Sequence, residues 1–322
     1  MRVRLGYVAI ALGLPKVTSS SNVTYMYYQK LSEEERDNKL RQVTYSNITD
    51  LRKILEYNIK NKIHFYRITS ALIPLATHPE VRWDYRPVFR RSFKLIGEII
   101  SRSNMRADTH PDQFNVINST DDNVVYNTVR NLWIHVNLFK DMEYSPGKMV
   151  LHIGSAAGGK DDALKRFEKN FLGLPGEIAS RIILENDDKT FTANETLRLC
   201  KTLEVPMVLD YHHHICNNNG ENIYKLLPDI IDTWKGETLP AKLHFSTPKD
   251  GPKDRKHADY IDAQSFVEFI DNCKFIKKDM DIMLEAKKKD LALFELADSV
   301  RKLRKNWEWT DLFSFNTDKV FP

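Results

Sequence analysis

With 322 residues, 42% of them hydrophobic and 29% charged, the chain can bury a full core as one large domain or two small ones, and its composition excludes a disordered protein. A net charge of +4, from 48 basic and 44 acidic residues, permits a polyanionic partner without requiring one. Cys200, Cys216 and Cys273 are widely spaced with no C-x-x-C, which argues against a disulfide framework or a cysteine zinc knuckle and for a reducing compartment, the cytoplasm.

No run of about 18 apolar residues is present, so no helical membrane span is expected. Arg2 and Arg4 ahead of the apolar Leu5 to Leu14 imitate a signal peptide, but two glycines, a tyrosine and the lack of a small-x-small site after Pro15 argue against export. Val3 to Ile10 reads instead as a first strand. Ser32-Glu33-Glu34-Glu35 has the form of a capping box and opens an amphipathic helix carrying Leu40, Val43, Leu51, Ile54 and Leu55. Ile63 to Thr69 is a second strand, followed by a long loop rich in proline and aromatics and a helix through Phe93, Leu95, Ile96 and Ile99.

The alternation then repeats: strand Met105 to His110, helix Asn123 to Met142, strand Lys148 to Ile153, helix Asp162 to Leu172, strand Arg181 to Asn186, helix Asn194 to Leu203. Strand Val205 to Tyr211, helix Glu221 to Trp234, strand Ala241 to Ser246, helix Ala263 to Cys273, strand Asp281 to Ala286 and helix Leu291 to Lys305 complete it. Eight strand-then-helix units over about 300 residues predict a parallel sheet with the count and size of a single (β/α)8 TIM barrel, residues 1–305. An open doubly wound sheet is the rival, but the G-x-G-x-x-G loop it would carry after an early strand is absent. Asn306 to Pro322 break the period and read as a tail, one that packs its aromatics on the outside of the barrel or is partly disordered.

The stretch VPMVLDYHHH (205–214) changes abruptly from a buried-strand pattern to Asp210, His212, His213 and His214. Asp210-x-x-His213 offers a carboxylate oxygen and an imidazole nitrogen, a pair that zinc, manganese or iron accepts; the alternative is an ordinary polar loop. Other strands end in the same way: Asp108 and His110, His152, Glu185, Lys242 and His244, and Glu285. In barrels the chemistry lies at these carboxyl ends. Alternation places Val150 on the side of His152, Ile183 with Glu185, Val208 with Asp210 and Met283 with Glu285, which predicts an apolar lower layer beneath a polar upper one. One inward histidine is ordinarily a hydrogen-bonded core group, but a whole ring of buried imidazoles and carboxylates without cations would be very costly.

His110, His152, His213, His244 and His257 with Glu185, Asp210 and Glu285 are nitrogen and oxygen donors without sulfur, which suits manganese, zinc or iron and disfavours calcium. They exceed one tetrahedral site, so two or three ions sharing carboxylates are expected, an arrangement suited to in-line attack at phosphorus. Lys242 is the misfit: a general base, a phosphate contact and a lysine carboxylated into an acidic ligand are all compatible with its spacing. Gln113 and Phe114 put an amide and an aromatic on the third loop, as in proteins that wedge into a base stack, although Phe114 is equally suited to folding onto the next helix. The loop Ser246-Thr-Pro-Lys249-Asp250 and the basic stretch 251–256 are suited to gripping phosphates, or are simply solvated. Arg82, Arg86, Arg90, Arg91 and Lys94 offer a similar choice between a DNA face and an ordinary helix exterior.

LGY (5–7), SALIPLATHP (70–79), THPDQF (109–114), LHIG (151–154), LENDDKT (184–190), LDYHHH (209–214), KLHFSTPK (242–249), HADYIDA (257–263) and MLEAKKKD (283–290) together resemble the UV damage endonucleases, relatives of endonuclease IV among the divalent-metal barrels. The resemblance implies nicking of double-stranded DNA on the 5′ side of cyclobutane pyrimidine dimers and 6-4 photoproducts, and at abasic sites, leaving a 3′ hydroxyl and a 5′ phosphate. It implies a cluster of three Mn2+ ions in a monomer. One ion would be held by His110, His152 and Glu185, and a second, bridged by Glu185, by Asp210, His244 and Glu285. The third would be held by His213, His257 and a carboxylated Lys242. His78 would assist at the phosphate, Gln113 and Phe114 would wedge behind the flipped lesion, Tyr7 would lie beside the lesion pocket, and Lys249 would contact DNA. Two departures bear on lesion preference: Val8-Ala9-Ile10-Ala11 where relatives have a polar residue, and Phe114 where some have tyrosine. A sugar isomerase or epimerase on the same barrel is the competing reading; it would hold at most two ions in a closed pocket and would need no wedge. A non-catalytic nucleic-acid-binding protein is a weaker third.

Overall fold

The computed structural model describes residues 1–317. Within them the apolar runs become eight short parallel strands: β1 (Arg2–Val8), β2 (Phe65–Ile68), β3 (Arg106–Thr109), β4 (Met149–His152), β5 (Ile182–Glu185), β6 (Met207–Asp210), β7 (Ala241–Phe245) and β8 (Met280–Leu284). They hydrogen-bond in sequence order, β8 pairs with β1, and β1 meets β2 through Tyr7↔Tyr66 and Val8↔Arg67. The sheet is therefore closed, and with helices between its strands it is a single (β/α)8 barrel. His110, Asn186, Ser246 and Glu285, expected as the last strand residues, lie just past the ladder, where the chain turns into the loops. The stretch from Arg2 onward that imitates a leader is a central strand of this sheet.

The long outer helices are α2 (Glu33–Lys60), α3 (Arg86–Arg102), α4 (Asp122–Asp141), α5 (Lys160–Leu172), α7 (Ala193–Leu203), α9 (Ile223–Asp232), α10 (Ala263–Cys273) and α11 (Lys289–Leu303); α1 (Tyr25–Gln29), α6 (Gly176–Ala179) and α8 (Tyr211–Cys216) are short additions. None is long and apolar enough to cross a membrane. The Ser32–Glu35 capping box forms as expected, with Glu35 Oε2 accepting from the Ser32 amide at 2.8 Å. α2 buries amides beside its leucines: Asn47 holds the backbone of Ser21 and Leu72, so it pins two of the loops above the barrel. Gly97 lets α3 approach the end of α4 so closely that a Cβ would lie 1.7 Å from the Met142 carbonyl oxygen. Arg86 grips Asp141 with two hydrogen bonds and Lys94 pairs with Glu143, so these two members of the basic stretch lock α3 to α4 and its end.

Alternation along the strands sends Leu5 and Tyr7 toward the helices and Arg4 into the barrel. There Arg4 meets Asp281 through two 2.6 Å hydrogen bonds, and Arg106 reaches the same carboxylate at 2.8 Å and the Pro240 carbonyl at 2.7 Å. Arg106 also lies over the rings of Phe65 and Trp234. The lower layer is thus not simply apolar: it contains an ion group, two guanidiniums on one carboxylate, whose hydrogen bonds are satisfied within the barrel.

Residues 306–317 do pack aromatics against the barrel, with Trp307, Phe313 and Phe315 buried, but they also form two strands, β9 (Glu308–Trp309) and β10 (Ser314–Asn316). β10 runs antiparallel to Arg2–Arg4 of β1, the part of that edge which β2 leaves free because it pairs only with Tyr7 and Val8. The remainder of the expected tail, residues 318–322, lies outside the described residues.

Candidate metal centre

The strand ends bring their polar groups to one mouth. His152 is in register with Glu185, and Asp210 with His244. β6 stops at Asp210 because its carboxylate accepts the His213 amide at 2.8 Å and so caps α8, which places His213 one helical turn from Asp210. Asn186 fixes this corner: its side chain bonds the Asp210 backbone in both directions, and its carbonyl oxygen lies 3.0 Å from His213 Nδ1.

Glu185 is the centre. His244 Nδ1 lies 2.6 Å from its Oε1, and His110 Nε2 and His152 Nε2 lie 3.0 Å and 3.4 Å from its Oε2. Three sets of donor atoms fall within 4.8 Å of one another: His110, His152 and Glu185; Glu185, Asp210 and His213; Glu185, His244 and Glu285. Glu185 belongs to all three.

Burial works to raise the Glu185 carboxyl, but His244, His152 and His110 outweigh it and hold the group well below the ordinary carboxylate range. Burial also opposes the charge on Glu285, where Arg67 and His244 prevail and lower it. His213, pulled down by burial, is pushed up to about 9 by Asp210, Glu185 and Glu285. Desolvation lowers His152 and His244. Asp210 Oδ2 and His152 Nδ1 are buried with no hydrogen-bond partner. Orphaned acceptors in a sulfur-free set of imidazoles and carboxylates fit divalent cations, which would satisfy them.

The three sets differ from the grouping implied by the resemblance, since Asp210 is joined to His213 while His244 and Glu285 form a set without it. His257 is at the edge, its Nε2 4.0 Å from Glu285 Oε2 and its Nδ1 2.7 Å from Ser246 Oγ. Lys242 joins none of the sets. Its Nζ lies 2.5 Å from Asp108 Oδ2, across the barrel and one layer down, and burial pushes the amine to about 8 against the pull of Asp108. Fully buried, it touches no phosphate from outside.

A cleft of about 770 Å³ opens over these groups, lined by Gln113, His110, His152, His213, Asp187, Arg255 and His257 among others. Phe114, 75% exposed, faces a neighbouring hollow of about 460 Å³, so the loop 111–114 is a partition between the two. It does not fold onto the next helix. His78 lines the hollow, stacked on Tyr25 with ring centroids 3.8 Å apart, away from the donor sets. Lys249 is exposed on a loop tied by its amide to Lys256, by the Pro248–His257 bridge and by Arg255 to Asp188. Tyr7 is a correction: strand parity turns it outward, fully buried, its hydroxyl donating to Asn58 of α2 at 2.7 Å, so it borders no pocket at the mouth.

Arg67 carried no role in the sequence reading, although an arginine inside the apolar run of β2 is its signal. Its Nη1 lies 2.7 Å from Glu285 Oε1, its Nη2 2.7 Å from His244 Nε2 and its Nε 3.8 Å from Asp108 Oδ1.

The description UV-endonuclease UvdE is that of the family model matching residues 3–312. The chain is 38% identical over 305 residues to the UV DNA damage endonuclease of Bacillus mycoides strain KBAB4, covering 94% of this chain and 96% of that one. It superposes on the crystal structure of SacUVDE with a TM-score of 0.83 and 32% identity, over 94% and 98% of the two chains. Endonuclease IV from Thermus thermophilus, at 15% identity and a TM-score of 0.52 over 79% and 92%, shares the fold. Matched almost end to end, with a donor-lined mouth on the same barrel, the chain belongs to the UV-endonuclease UvdE family.

Proposed function

We propose that this protein nicks double-stranded DNA immediately 5′ to cyclobutane pyrimidine dimers and 6-4 photoproducts, and at abasic sites, leaving a 3′ hydroxyl and a 5′ phosphate. The observation that carries the reading is Glu185, shared by three donor sets beneath an open cleft that can admit a strand. The family membership selects this reading over a sugar isomerase or epimerase, and the projecting Gln113 and Phe114 are of no use to an enzyme that encloses a small sugar.

His110, His152 and Glu185 would hold one Mn2+ ion, Glu185, Asp210 and His213 a second, and Glu185, His244 and Glu285 a third with His257 at its edge. Zn2+ suits the same donors. Bound there, such ions activate water and neutralise the leaving oxygen of the phosphodiester. The protein's own residues orient the rest. Asn186 fixes His213, Arg67 fixes His244 and Glu285, Gln113 and Phe114 fill the gap left by the displaced lesion, His78 steadies the phosphate, and Lys249 contacts the backbone. With manganese, a UV-irradiated supercoiled plasmid is expected to be nicked and an unirradiated one to stay closed. Equal nicking of both, or none with any divalent ion, refutes the proposal.

A further inference from the structure

His78 sits on a loop, yet contacts from three parts of the chain hold it. Thr24 caps α1, so Tyr25 is the first residue of that helix, and the His78 ring lies flat on the Tyr25 ring with the two planes 21° from parallel. The Glu80 amide donates to His78 Nδ1 at 3.2 Å. From α4 the Arg130 guanidinium spans the backbone on either side, Nη2 donating to the Thr77 carbonyl at 2.5 Å and Nη1 to the Pro79 carbonyl at 3.3 Å. The stack sets the plane of the ring, the amide sets which edge faces the chain, and the guanidinium holds the turn that carries both.

A backbone amide can only donate, so Nδ1 is an acceptor, and in the neutral ring the single proton is on Nε2. Turning the ring over within its plane would set a carbon edge against the Glu80 amide and lose that bond. Nε2 has no hydrogen-bond partner among the described residues, and His78 lines the hollow beside Phe114, so Nε2–H is the donor left for a ligand. We infer that Tyr25 and Arg130 are positioning residues for His78, which together present it to an oxygen of the bound DNA as a donor of one fixed tautomer. Neither residue needs to touch a reacting atom. A side chain ordered before the strand arrives has no rotamer freedom left to lose when it binds. The inference rests on the role proposed for His78 at a phosphate, and it adds to that role the two residues that aim it and the nitrogen that carries the proton.

The test has one arm that needs no catalysis. With nitrogen-15-labelled histidine in mildly alkaline buffer, the His78 signals, assigned by their loss in His78→Ala, should show a protonated Nε2 and a bare Nδ1. Tyr25→Phe keeps the ring face and should leave them unchanged. Tyr25→Ala removes the stack, and Arg130→Lys keeps the charge without spanning both carbonyls, so each should move the two nitrogens toward the average of mixed tautomers. A wild type with its proton on Nδ1, or one already mixed, overturns the inference. In the second arm, cutting of irradiated plasmid by the manganese-loaded protein should fall about tenfold in Tyr25→Ala and in Arg130→Lys and stay within about twofold in Tyr25→Phe. In a His78→Ala background neither substitution should lower it further. Losses that simply add would mean that the two residues act on the fold and not through His78, and would overturn the inference. The two possible failures are distinct: if His78→Ala cuts like the wild type, the role proposed for His78 falls and this inference with it, whereas if His78→Ala loses activity and Tyr25→Ala and Arg130→Lys do not, only the positioning inference falls.

Discussion

The floor and the mouth of this barrel both bury charge, and they do it in opposite ways. At the floor, Arg4 and Arg106 converge on Asp281, the Pro240 carbonyl takes a further donor, and none of the three side chains keeps a buried nitrogen or oxygen without a partner. At the mouth, Asp210 and His152 each keep a buried atom with nothing to bond. Burial of charge is therefore not by itself a sign of function, because a complete ion group is simply part of the core. An incomplete group, rich in one class of donor and short of cations, is the functional sign.

The largest effect expected from this contrast is at Glu185, which Glu185→Gln removes from all three donor sets at once. Cutting should fall by about a thousandfold or more, since several kcal/mol of charge stabilisation are lost, while some DNA binding remains. Elemental analysis should show fewer ions per chain; near-wild-type cutting would mean the three sets do not act through Glu185. The floor should respond in the other currency. Asp281→Asn leaves two arginines facing each other in the core and is expected to cost about 3–5 kcal/mol in urea unfolding with metal content unchanged. Metal lost with stability intact would erase the distinction between the two ends.

The barrel was legible because each unit keeps its own period, alternating in the strands and amphipathic in the helices, and because caps such as Ser32 mark where helices begin. Convergence at the mouth was legible for the same reason: alternation sends His152, Glu185 and Asp210 inward together. What alternation does not encode is which inward groups meet across the axis, since that depends on the tilt and stagger of the closed sheet. Hence Asp108 was seen at a strand end without its partner Lys242, and Arg67 was passed over although it touches two residues of the donor sets. Tyr7 was assigned by resemblance against its own parity, which points it at Asn58. His78 lies on a loop, where no period says which way a side chain faces.

A smaller effect separates the two ends by pH. In the metal-free protein His213 titrates at about 9, because burial is outweighed by Asp210, Glu185 and Glu285. A raised folded pKa stabilises fully below the unfolded value of about 6.5 and loses that contribution as pH climbs through about 9. A bound ion must displace this proton, so manganese affinity should rise by about fiftyfold between pH 7 and 9 and level about one pH unit higher. Calorimetric titration in two buffers of different ionisation heat counts the proton released, and none released at pH 7 would rule out His213 as a ligand. The floor contains only arginine and aspartate, and its stabilisation should stay constant over the same interval.

The smallest effect is expected at the partition between the cleft and the hollow. Phe114 is 75% exposed and so contributes little to the core. Phe114→Ala should change stability by less than about 0.5 kcal/mol and leave manganese content alone. If its ring fills the place of a displaced lesion, the lost stacking is about 1–3 kcal/mol, and the preference for irradiated over unirradiated plasmid should fall by about tenfold. Gln113→Ala, facing the cleft from the same loop, should lower that preference further without loosening the ions. Discrimination unchanged in the double variant would leave the loop as a wall and nothing more, and would return lesion recognition to the lining of the cleft itself.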